Sequence, residues 1–117
     1  MAQDAISEAD QQTHLQMWRS FLEARYTVVK HLERRMQEQH GLPLAWWDVL
    51  QQLADGPDGR LRMGELAESV LLTRSGITRL VDRMIGDGLV AREPYPGDRR
   101  GYFAVITEKG LDTIKKV

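Results

Sequence analysis

The sequence predicts a mainly α-helical chain carrying one small β-hairpin. Three observations predict this. Long stretches repeat apolar residues at steps of three and four, as amphipathic helices do. The pattern turns to strand-like alternation only after Gly88. Clusters of Gly, Pro and Asp at 41–43, 55–59 and 94–101 punctuate the periodic stretches. A length of 117 residues supplies one core and is too short for two domains of ordinary size, so we read a single domain over 1–117.

The first element is a long amphipathic helix over 13–40. Leu15, Trp18, Leu22, Val29, Leu32 and Met36 fall on one stripe, while Arg19, Glu23, Lys30, Glu33 and Arg34 form the opposite face. Gly41 and Pro43 end it. A second helix runs from Leu44 to Ala54, with Trp46, Val49, Leu50 and Leu53 inward. The turn Asp55-Gly56-Pro57-Asp58-Gly59 follows, and Arg60-Leu61-Arg62 suits a short edge strand.

Glu65 to Val70 forms a short helix that turns Leu66, Ala67 and Val70 inward but lacks a Ser, Thr, Asp or Asn cap. The next helix is expected from Thr73, whose hydroxyl can cap it, to about Asp87. Its stripe is Ile77, Leu80, Val81 and Met84, and its opposite side is Ser75, Thr78, Arg79 and Asp82. Gly88 ends that helix. Leu89 to Arg92 and Tyr102 to Ile106 then read as strands joined by a basic, turn-rich loop over 94–101. Thr107 caps a last helix that carries Leu111 and Ile114.

Composition narrows the function classes. No run of about 18 apolar residues exists, and the first residues are polar and acidic, so a cytoplasmic protein without a membrane partner is expected. Without cysteine there is no thiolate metal site and no thiol sensor. His14, His31 and His40 share no helical face, so no metal and no cofactor is expected. Nucleophile elbows, phosphate-binding glycine loops and paired catalytic carboxylates are absent, so no catalytic residue is assigned.

The net charge of −1 hides an asymmetry. Residues 1–58 hold five Lys or Arg against nine Asp or Glu, and residues 59–117 hold eleven against eight. The second half is therefore the one suited to a polyanion.

Two short helices followed by a hairpin with arginines at its tip give the order of a winged helix-turn-helix, here over 44–106. Arg74 and Arg79 can donate in pairs to guanine edges or phosphates, and Ser75 and Thr78 are short enough to let a helix approach bases. Arg99 or Arg100 can enter a narrow minor groove while the other pairs with Asp98.

The segment LRMGELAESVLLTRSGITRLVDRMIGDGLVAREPYPGDRRGYFAVIT, residues 61–107, resembles the core of the multiple-antibiotic-resistance regulator (MarR) family. That family's wing signature is Asp, any residue, Arg, then five residues and Leu-Thr. Here it reads Asp98, Arg99, Arg100 and then Ile106-Thr107, with Ile in place of Leu. The resemblance implies a transcription regulator, usually a repressor, that binds duplex DNA as a homodimer on a pseudo-palindromic operator. It implies that Arg74, Ser75, Thr78 and Arg79 face the major groove, that Asp98 orders the wing with Arg83 as its partner, and that Arg100 lies near the minor groove. It further implies dimerisation helices at both ends, 13–40 and 107–117. The second of these is expected to be only the start of a longer helix, because the family continues beyond the position of Val117.

Relatives of this kind also bind small aromatic or anionic effectors, which makes Trp18, Trp46 and Trp47 candidate effector residues. Aromatic residues at helical spacing equally serve a core. The near-zero net charge leaves a second functional class open, a winged helix that binds protein without sequence-specific DNA binding. A steep loss of affinity with salt separates the two.

Overall fold

The computed structural model describes residues 7–72 and 74–117, and for Asp98 and Arg99 the backbone alone. In chain order the elements are α1 (Glu8–His40), α2 (Leu44–Asp55), a 3-10 turn (Pro57–Gly59), β1 (Arg60–Arg62), α3 (Met63–Ser69), α4 (Ile77–Gly86), β2 (Val90–Tyr95), β3 (Asp98–Ile106) and α5 (Glu108–Lys115). Contacts divide the chain into two compact units, the boundary falling after Arg35.

The first helix begins at Glu8, earlier than expected, because Ser7 caps it. Its Oγ accepts from the Asp10 backbone N–H at 3.1 Å. Glu8 and Asp10 then occupy the first turn, where the helix dipole favours acids. No residue of α1 is buried. Among the described residues, no helix is long and apolar enough to cross a membrane.

The second unit is built around the predicted stripes. Val49, Leu50 and Leu53 of α2, Leu66 of α3, Val81 and Met84 of α4, Val90 of β2 and Ala104 of β3 are buried together. Trp46 packs on this core from the side. Beneath it lies an antiparallel sheet in the order β1-β3-β2, with Leu61 opposite Ala104 and Val90 opposite Ile106. The short strand is thus an edge, as its sequence suggests. The α3 helix gains its cap from within, since the Glu65 carboxylate accepts from the Arg62 backbone N–H at 3.1 Å.

Two further boundaries differ from expectation. The helix expected from Thr73 starts at Ile77, and Arg74 and Ser75 stand before it instead of on it. Gly76 is the cause: its φ of 75° is left-handed and cannot continue a right-handed helix. The predicted cap Thr73 lies outside the described residues. The second difference is the wing. The expected loop over 94–101 is mostly strand, and only Pro96 and Gly97 separate β2 from β3. Cross-strand pairing outweighs local turn chemistry here. Pro94 is tolerated because β2 is an edge, and a bulge between Pro94 and Tyr95 absorbs the irregularity.

The far end of α4 closes as predicted at Gly88. The Leu89 N–H donates to the Met84 carbonyl and the Gly88 N–H to the Ile85 carbonyl, both at 3.0 Å, which is a Schellman motif. Thr107 fastens α5 to this end. Its hydroxyl donates to the Gly88 carbonyl at 2.6 Å and accepts from the Gly110 N–H at 3.1 Å. Lys109 adds a bond from Nζ to the Asp87 carbonyl at 2.7 Å. Ile114 packs on the core as expected, whereas Leu111 is exposed.

Candidate nucleic-acid interface

Burial of Ile77, Val81 and Met84 fixes which way α4 faces. Turning that stripe into the core leaves Thr78, Arg79, Asp82 and Arg83 exposed on the other side. Arg74 and Ser75, in the turn before Gly76, are exposed as well. Four of the predicted contact residues therefore share one end of one surface, although two of them are not helical.

An acid on such a face works against phosphate, and Asp82 has its charge met. Arg92 of β2 reaches across to it with Nη2 at 2.7 Å from Oδ1. The same guanidinium stacks on the Tyr102 ring at 4.3 Å. This pair ties α4 to the wing. Its sequence signal was weak, because Asp82 and Arg92 belong to elements of different period.

The hairpin is stiffened on its other face by a second arginine–aromatic set. Arg62 lies 3.8 Å over the Tyr95 ring, Tyr95 and Phe103 are 5.2 Å apart, and Arg60 lies 4.8 Å over Phe103 while bonded to Glu93. Arg62 and Arg100 line a recess of about 240 Å³ together with Tyr95 and Tyr102. Arg62 thereby joins the cationic surface. From the sequence Arg62 reads only as part of an edge strand.

The remaining predicted residues divide. The side chains of Asp98 and Arg99, and with them the expected Arg83–Asp98 pair, lie outside the described residues. Trp46 and Trp47 are half-buried in the second unit. Trp18 belongs to the first, where it is exposed and stacks on Phe21 at 5.9 Å.

A helix presenting exposed arginines over a packed core is here followed by a braced basic hairpin, in the order of a winged helix-turn-helix. The MarR family model matches residues 40–101. The chain belongs to the MarR family. Its members are transcriptional regulators that bind DNA through a winged helix-turn-helix, and they are not enzymes. The Streptomyces coelicolor MarR-family regulator Sco3205, solved in complex with DNA, is 35% identical with a TM-score of 0.80, over 97% of this chain and 69% of that one. The Bacillus subtilis HTH-type transcriptional regulator MhqR is 31% identical over 78% of this chain and 61% of its own length. The Pseudomonas putida HTH-type transcriptional repressor IacR is 33% identical over 86% of this chain. The chain spans 57% of the length of that repressor.

Proposed function

We propose that this MarR-family regulator acts in the cytoplasm as a homodimer on a pseudo-palindromic operator, repressing transcription until a small aromatic or anionic effector releases it. In this reading Arg74, Ser75, Thr78 and Arg79 meet the major groove. Arg99 and Arg100 reach the minor groove from the wing, with Asp98 and Arg83 ordering it. Trp18, Trp46 and Trp47 are the candidate effector residues. The observation that carries the reading is the exposed face of α4, on which Arg79 and Arg83 are exposed while the acid of that helix, Asp82, is held by Arg92 of the wing. The DNA complex of the similar Streptomyces regulator supports the partner, and two relatives named as repressors, against one named as an activatory protein, favour the sign.

Selection from randomised duplex DNA at near-physiological salt tests this. Recovery of a palindrome with half-sites about one helical turn apart is expected. On that operator Arg79→Ala costs about 1–3 kcal/mol and relaxes one position, whereas Arg100→Ala weakens all sequences alike and lowers the salt slope. No enrichment by a folded protein, or equal binding by wild type and Arg79→Ala, overturns the assignment.

A further inference from the structure

The turn leading into α4 is held from beneath by a carboxylate that the interface does not use. Asp48 of α2 is 3% exposed, the one buried charged residue among those described. Its Oδ2 accepts from the backbone N–H of Leu71 at 2.8 Å and of Leu72 at 3.2 Å. These amides lie 23 and 24 residues further along the chain.

The segment between α3 and α4 is anchored in the core at both ends. Val70 and Ile77, on either side of it, are buried at 6% and 8% exposure. Between them the Leu71 side chain is 78% exposed, so packing does not hold that residue. Its backbone is held instead. Burying a carboxylate is costly unless hydrogen bonds satisfy it, and an apolar residue would fill the same space in α2 at lower cost. An acid at this point is explained by the two N–H groups it binds. Ionised acceptors also make the shorter and stronger bonds to backbone amides.

We propose that Asp48 is a positioning residue for DNA recognition. By fixing the backbone at Leu71 and Leu72 it sets where Arg74, Ser75 and the start of α4 stand against the operator. This rests on the DNA-binding reading above, and it adds a residue that touches no DNA.

The test uses the full chain with Asp48→Ala and Asp48→Asn, the second retaining one acceptor oxygen at the same length. In the free protein, amide hydrogen exchange at Leu71 and Leu72 is expected to quicken about tenfold or more in Asp48→Ala, and less in Asp48→Asn, relative to the core amides of Leu50 and Val81. Affinity for the selected operator is expected to fall about tenfold in Asp48→Ala and less in Asp48→Asn, while binding to random duplex stays within about threefold. Unchanged exchange at Leu71 and Leu72 overturns the proposal. So does an equal loss on operator and random duplex. If Asp48→Ala does not fold, Asp48→Asn decides alone, and operator binding equal to wild type overturns the proposal. A wild type without preference for any duplex sinks the functional reading itself. Preference in the wild type with none lost in either variant sinks only the role of Asp48.

Discussion

Helices α1 and α2 carry the same kind of apolar stripe and meet opposite fates. In α2 the stripe is covered: Val49, Leu50 and Leu53 are fully buried by α3, α4 and the sheet. In α1 its residues Leu15, Trp18, Leu22 and Leu32 are exposed, Val29 and Met36 are half-buried, and no residue of the helix is buried. Helix stability in water comes mainly from packing an amphipathic face, so α1 carries a face suited to being covered. Periodicity tells that a face will be buried. It does not tell by what. In the proposed homodimer a second copy is the expected cover.

Four substitutions, the last two taken as a pair, sharpen this contrast. The largest effect belongs to the core, where Leu53→Ala should lower unfolding free energy by about 2–5 kcal/mol in urea denaturation. A value near zero would mean that the second unit is not held by this cluster. Gly110→Ala comes next. A Cβ there would stand 2.4 Å from the Leu89 carbonyl oxygen and 2.8 Å from Ile106, so overpacking should cost about 1–3 kcal/mol and loosen α5. Least affected should be the pair Trp18→Ala and Phe21→Ala. At concentrations where the protein is monomeric they should leave core unfolding within about 0.5 kcal/mol of wild type, while sedimentation shows weakened self-association. A core that melts with them would break the comparison.

Much of the fold was legible because it is locally encoded. The stripes of α2 and α4, the Gly88 stop and the Thr107 cap each depend on residues within a turn or two of one another. What escaped depends on distant partners. The wing strands run to within two residues of each other because β3 pairs on both sides, which overrides the Pro and Gly content of 94–101. The late start of α4 has a local cause, since Gly76 falls inside the helix expected from Thr73 and is instead its left-handed boundary. Asp48 offered a trace of itself as an acid inside the apolar run Trp46-Trp47-Asp48-Val49-Leu50. Only the fold reveals the two amides that it binds. On the interface, Arg79 and Thr78 were placed by periodicity alone, whereas Arg62 and the Asp82–Arg92 pair required the strand register.

The hydroxyl of Thr107 gives and receives a hydrogen bond at once, to Gly88 and from Gly110. Valine, its nearest match in shape, can do neither. Among hydroxyl side chains, serine retains both roles on one oxygen, and a single base change in the codon separates it from threonine. Drift at this position is therefore expected to run toward serine and away from valine, and a saturation library of the gene should show that order.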